Sequence, residues 1–94
     1  MLVKPNKSIL KGRVRRVERA PDGWGANVEF AVDECAPAQG YADFVQAKPG
    51  STLTVFAAEP ETIRPGKAYT LVAAVLGGPR GERVVVEDAR PTDD

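Results

Sequence analysis

The chain has 94 residues with 13 basic and 13 acidic side chains, so its formal net charge is zero, and 43% of its residues are hydrophobic. This length and composition are typical of a single small globular domain. There is no histidine and Cys35 is the only cysteine, which excludes histidine-based acid–base chemistry, an internal disulfide and nearly all zinc sites.

The first predicted strand lies in "SILKGRVRRVER", in which the stretch "KGRVRRVER" holds five of the 13 basic residues. Alternation places apolar residues on one face and basic residues on the other, with Leu10, Gly12 and Val14 set against Lys11, Arg13 and Arg15. The next apolar residue, Val17, follows Val14 by three positions instead of two. One extra residue at Arg15-Arg16 is what a β-bulge supplies, so the sequence predicts a bent strand that keeps its apolar side inward.

The second predicted strand, "NVEFAVDE", alternates regularly and follows the turn sequence "APDGWG". An antiparallel hairpin with the bulge at Arg15-Arg16 pairs apolar residues along its inner face, namely Val17 with Val28, Val14 with Phe30 and Gly12 with Val32. On the outer face the same register places Arg15 or Arg16 opposite Glu29, and Lys11 opposite Asp33.

The basic stretch therefore has two interpretations. In the first, its charges are neutralised by carboxylates of adjoining strands, and Glu87 and Asp88 add to them if the last strand lies beside the first. In the second, the stretch grips a polyanion. The cross-strand register favours the neutralised face, and the polyanion grip stays as the alternative.

Three further strands are predicted, in "STLTVFA", "AYTLVAAVL" and "ERVVVED", and turns rich in glycine and proline separate them. "YADFVQAKPG" is compatible with a short helix or an ordered loop, and "EPETIR" with a single helical turn. We expect one domain over residues 1–94, with a barrel over about residues 8–90 and a short polar tail at 91–94. The fold class is all-β: a five-stranded antiparallel barrel with at most one short helix or helical turn.

The segments "LKGRVRRVE", "VEFAVDE", "GSTLTVF", "RPGKAYTLVAAV" and "RVVVEDARP" resemble the OB-fold in their layout. That fold has a long kinked first strand, a meander to the third strand and a final hairpin. The chain departs from the common pattern in a short connection between strands 3 and 4 and a long one between strands 2 and 3. "PGKAYTL" is also similar to the netrin or metalloproteinase-inhibitor branch. That likeness implies a secreted protein-binding module, although members of the branch are rich in disulfides and this chain has one cysteine.

The resemblance implies two binding loops, one between strands 1 and 2 and one between strands 4 and 5. The first holds Trp24, which we expect to form a lid over the barrel end, with stacking on a base or sugar ring as the alternative. The second holds Arg80, which is either a solvated turn residue or a contact to a phosphate or carboxylate. With the basic strand these residues form a candidate ligand-binding set: Lys11, Arg13, Arg15, Arg16, Trp24 and Arg80.

Other conspicuous side chains are expected to be structural. The aromatic residues Tyr41, Phe44 and Phe56 are expected in the core, and an outward aromatic platform is the alternative. Asp33 and Glu34 are adjacent on a strand and so are expected to point to opposite faces, which separates them as a catalytic pair. Cys35 is expected to be a small buried residue without a histidine to activate it.

These patterns predict a non-catalytic OB-like module for protein interaction or assembly. It would bind a protein partner or self-associate through an exposed strand, because the chain is neutral and apolar Val85 and Phe56 fall on outward positions. The alternative is a single-stranded nucleic-acid-binding barrel that uses the basic strand and the two loops. No cofactor, metal or membrane partner is expected. The lone cysteine and the absence of a signal-peptide pattern predict a cytoplasmic protein.

Overall fold

The computed structural model describes residues 6–21, 23–78 and 81–92 of the chain. They form five strands and one 3₁₀ turn: β1 (Ser8–Arg19), β2 (Ala26–Pro37), β3 (Thr52–Ala57), the turn Pro60–Thr62, β4 (Ala68–Gly78) and β5 (Gly81–Pro91). The all-β prediction, with at most one helical turn, is confirmed. The turn lies in "EPETIR" as predicted, and "YADFVQAKPG" is an ordered loop without a helix. Of the predicted tail at 91–94, Pro91 ends β5, while residues 93–94 lie outside the described part of the chain.

The five strands close into a ring in the order β1-β2-β3-β5-β4. The pairs β1–β2, β1–β4, β2–β3 and β4–β5 are antiparallel, whereas β3 and β5 are parallel and meet through Phe56 and Val85. The expectation of a wholly antiparallel barrel is therefore wrong, for a geometric reason. Strand directions alternate around an antiparallel sheet, and an odd number of strands cannot alternate and also close into a ring.

The β1–β2 hairpin has the predicted inner register. Val17 lies opposite Val28, Val14 opposite Phe30 and Gly12 opposite Val32. The register shifts between Val14 and Arg16, so the predicted bulge is present with Arg15 as the extra residue. Beyond it Arg16 lies opposite Glu29, which is one of the two outer pairings expected there.

The predicted outer pairing of Lys11 with Asp33 is wrong because the hairpin contains a second bulge. Lys11 lies opposite Glu34 and not Asp33, because the register shifts again after Lys11 and Asp33 is the extra residue. The insertion brings Leu10 opposite Cys35. An unbroken register would have set Leu10 against Glu34, so the burial of an apolar side chain accounts for the shift.

Side chains from all five strands fill the interior of the ring, and the core cluster includes Leu10, Val14, Val28, Phe30, Val55, Leu71 and Ile63. The six residues predicted to face inward are confirmed: Gly12, Val14, Val28, Phe30 and Val32 are buried, and Val17 is half-buried and packs on the core. Buried Tyr69 ties the β3–β4 connection to the barrel. Its hydroxyl accepts a hydrogen bond from the Arg64 N–H at 2.8 Å and donates one to the Thr62 carbonyl at 3.3 Å. Across the described ranges, no helix has the length and apolar character needed to cross a membrane.

Candidate binding surface

Three side chains from distant parts of the chain meet on the outer surface of the barrel. We call Trp24, Phe56 and Arg83 the Trp24 cluster. The ring centroids of Trp24 and Phe56 are 5.4 Å apart and the rings are tilted by 39°, a favourable aromatic geometry. The guanidinium carbon of Arg83 lies 4.6 Å from the Phe56 centroid, within cation–π range. Phe56 is only 6% exposed, whereas Trp24 is 63% exposed.

The local sequence explains how the cluster is positioned. Val55 faces the core and successive strand residues point to opposite faces, so Phe56 stands on the outer face of β3. Gly25 brings the β1–β2 loop against that ring. Its φ is +73°, and a Cβ added there would lie 2.5 Å from Phe56 Cζ. Glycine is the residue that fits this close approach, and it carries Trp24 onto the outside of the sheet.

The prediction that Trp24 forms a lid over the barrel end is wrong. Pro60 and Ile63 of the β3–β4 connection are buried, and Ile63 belongs to the core cluster. These side chains occupy apolar space that a large indole would otherwise fill. Trp24 therefore covers Phe56 from the outside, and its role in ligand stacking stays a prediction.

Two residues of this surface do not stand out in the sequence as binding residues. Leu76 is 51% exposed and lies opposite Arg83 on the β4–β5 hairpin. The alternation of "ERVVVED" already places Arg83 outward, but its contact with Phe56 depends on β5 lying beside β3. Strand patterns alone do not reveal which strands become neighbours. Arg80, the predicted contact of the second loop, lies outside the described residues.

The basic row of β1 is exposed, as predicted, at Lys11, Arg13, Arg15 and Arg16. Arg16 forms ion pairs with Glu18 at 2.8 Å and with Glu29 at 4.0 Å. Arg13 donates a hydrogen bond to the carbonyl of Gly66. Among the described residues no carboxylate lies within ion-pair distance of Lys11 or Arg15. The row is thus partly neutralised, and exposed pairs of this kind are each worth about 0–1 kcal/mol.

The last strand does not supply the extra carboxylates expected for this row. The neighbours of β1 in the ring are β2 and β4. Glu87 instead pairs with Lys7 at 3.3 Å, and Asp88 pairs with Arg90 at 3.1 Å. The condition on which Glu87 and Asp88 would neutralise the basic row is therefore not met.

A polar cluster holds the β2–β3 loop against the start of β1. The Asp43 carboxylate accepts hydrogen bonds from the Ser8 hydroxyl at 2.6 Å, the Gln46 N–H at 2.9 Å and the Cys35 thiol at 3.4 Å. Burial acts to raise the pKa of Asp43, but these hydrogen bonds together lower it below its ordinary value. Burial, and after it the adjacent carboxylate, raise the pKa of Cys35. The half-buried thiol is therefore a weak nucleophile, and its role in the loop is structural.

The expectations for some other candidate residues are wrong. Tyr41 and Phe44 are 42% and 40% exposed, so they are not core residues, whereas Phe56 is buried as expected although its ring stands on the outer face of β3. Asp33 and Glu34 are both exposed because the bulge at Asp33 interrupts the alternation that assigned them to opposite faces. In the described part of the chain no group of three or more metal-ligating side chains occurs.

Comparison with models of known protein families gives no match for this sequence, and comparison with curated protein sequences gives none either.

Proposed function

We propose that this chain is a non-catalytic protein-interaction module built on an OB-type barrel, with the Trp24 cluster and Leu76 as its contact surface. The observation that carries the proposal is that Trp24 is 63% exposed although it packs on a buried neighbour, Phe56. An exposed indole held in one place loses little conformational freedom on binding. Tryptophan and arginine are also the residues most enriched among those that dominate interface energies.

The proposed contact surface continues from the Trp24 cluster onto the neighbouring strands β5 and β4. Phe56 of β3 lies beside Val85 of β5, and Arg83 lies opposite Leu76 of β4. The result is an apolar patch on which the Arg83 guanidinium lies over the Phe56 ring. A patch of this composition fits a partner that presents an apolar side chain close to a carboxylate.

Several features support the OB assignment within this proposal. The long first strand has a bulge at Arg15 and pairs with both β2 and β4. β1, β2 and β3 form a meander, and β4 and β5 form the final hairpin. In barrels of this type the loops after strands 1 and 4 border the binding surface, and Trp24 lies in the first of them.

A peptide-display selection against the folded protein tests the proposed function. Peptides selected from a random library should lose about tenfold or more of their affinity when Trp24→Ala removes the indole. Phe44→Ala is the matched control because Phe44 is an exposed aromatic residue that does not belong to the Trp24 cluster. This substitution should leave the affinity unchanged. Equal affinity for all three proteins would contradict the proposal.

Single-stranded nucleic acid is the second candidate ligand. It is favoured by one observation, that Lys11 and Arg15 are exposed without a carboxylate partner among the described residues. Titration of labelled oligonucleotides at two salt concentrations separates the candidates. Three phosphate contacts on a single strand would give a log K against log salt slope of about −2. We expect binding weaker than micromolar. If the unmodified protein binds the oligonucleotide more tightly than this, and Arg13→Ala plus Arg15→Ala abolishes the binding, then nucleic-acid binding replaces protein interaction as the proposed function.

A further inference from the structure

β1 is paired on both sides over only part of its length. Residues Ser8–Arg13 pair with β4 on one side, while the whole strand pairs with β2 on the other. At the end of the β4 pairing, Val14 donates to the Lys67 carbonyl and accepts from the Gly66 N–H. Beyond Val14, no strand of the described residues pairs with the side of β1 away from β2. Within the described part of the chain, this second half of the strand, residues 15–19, is therefore an unpaired strand edge.

The hydrogen-bond pattern shows which backbone groups face that edge. The Ala20 N–H bonds to the Gly25 carbonyl at the end of the hairpin, and bonding residues alternate along an antiparallel pair. Glu18 therefore directs its N–H and carbonyl toward β2, and Val17 and Arg19 direct theirs to the edge. Two donors and two acceptors are offered in the spacing that a further strand would use.

The charge around this edge is positive. Arg15, Arg16 and Arg19 are exposed, and Lys67 is exposed at the point where the β4 pairing ends. The one carboxylate on this stretch, Glu18, is paired with Arg16. Alternation puts Arg16 on the outer face, where it pairs with Glu18 and Glu29, and puts Arg19 on the same face as half-buried Val17. Acidic side chains of an added strand would therefore meet an arginine on either face of the edge.

We propose that this edge captures an extended acidic segment of a partner protein as an additional strand. The inference rests on the proposed function as a protein-interaction module and names a second contact surface for it. Nucleic acid has no backbone N–H and carbonyl repeat that matches the edge. A second copy paired antiparallel about Val17 would set Arg15 of one copy against Arg19 of the other and Arg16 against Glu18. Each stretch carries three arginines and one glutamate, so the two copies would meet with like net charge, which is repulsive.

The test uses the full chain and two blocked peptides of about six residues, the usual length of a strand. One alternates Thr and Glu, and the other alternates Thr and Lys. The acidic peptide should bind, and binding should weaken with added salt. In the complex, hydrogen exchange of the Val17 and Arg19 amides should slow by about tenfold or more. Binding without this protection, or equal binding of the two peptides, would overturn the proposal, since charge alone would explain it.

Variants separate the charge from the main-chain contact. Arg19→Gln removes only the charge, and Arg19→Pro also removes the N–H that faces the edge while leaving the bonds to β2 in place. We expect Arg19→Pro to weaken binding more than Arg19→Gln, and the control Arg90→Gln, an exposed arginine on β5, to have no effect. Equal affinities of Arg19→Pro and Arg19→Gln would contradict strand addition.

Two further outcomes decide between this proposal and others. Protection of both amides in the free protein, together with a dimer in sedimentation, would identify a second copy as the occupant and overturn the proposal. Trp24→Ala should leave binding of the Thr-Glu peptide unchanged. If that peptide fails to bind while Trp24-dependent peptides still do, the edge proposal fails and the proposed function stands.

Discussion

Gly12→Ala should be among the most damaging single-methyl additions to this barrel. Gly12 is buried and pairs with Val32 on one side and Tyr69 on the other. A Cβ at this position would lie 1.9 Å from the Ala31 carbonyl oxygen and 3.1 Å from Phe30 Cε2. The Ala31 carbonyl oxygen belongs to the main chain, so it cannot rotate away as a side chain would. To accommodate the added Cβ, β2 would have to shift at the centre of the hairpin.

Overpacking of a well-filled core usually costs about 1–3 kcal/mol, and we expect the upper end of that range or more here because a main-chain atom must move. For a domain of this size, about 3 kcal/mol corresponds to a drop in Tm of about 12–24 °C. Urea denaturation followed by circular dichroism measures the change in the free energy of unfolding. Gly50→Ala is the control, since a Cβ there meets no atom within 4 Å although the φ of +89° is strained. A Gly12→Ala cost no larger than that of Gly50→Ala would refute the packing argument.

Three other changes have defined outcomes. Phe30→Ala should lower the free energy of unfolding by about 3–5 kcal/mol because the ring is fully buried; a loss below 1 kcal/mol, about that of a surface change, would contradict this in a urea titration. Gly25→Ala should displace the Phe56 ring and with it Trp24, so selected peptides should bind more weakly in a titration; unchanged affinity would contradict the cluster geometry. Asp43→Asn should lower the Tm at neutral pH. The lowered pKa means that the carboxylate stabilises the fold above its ordinary value of 3.8, and this contribution is lost as the pH falls through the folded value. The Tm difference should therefore shrink on acidification, and a constant difference in a thermal melt series would contradict it.

Much of the first hairpin could be predicted from apolar spacing alone. The three-residue step from Val14 to Val17 required a bulge. The position of the bulge then determined which residues of β1 and β2 lie opposite each other on either side of it. The second bulge was also signalled, since Leu10 faces Cys35 only if one residue is inserted at Asp33. Val32 and Cys35 repeat the three-residue step, but that signal is weaker because Ala36 and Pro37 follow Cys35 and the alternation does not resume beyond it.

The candidate surface was less predictable because it depends on contacts between strands distant in the sequence. Phe56 and Arg83 meet only because β3 and β5 are neighbours in the ring, and periodicity reports the face of a residue but not its neighbouring strand. The exposure of Trp24 depends on the close approach of Gly25 to Phe56. A glycine in a turn sequence indicates conformational freedom without indicating what it packs against.

The emission of the single tryptophan tests the central claim most directly. Trp24 is the only tryptophan in the chain and is mostly exposed, so its fluorescence reports on the proposed contact surface without a label. When a display-selected peptide saturates the protein, the emission maximum should move to shorter wavelength and quenching by iodide should decrease, because the indole becomes buried in the interface. Saturated binding that leaves both the emission and the quenching unchanged would show that the Trp24 cluster is not the contact surface.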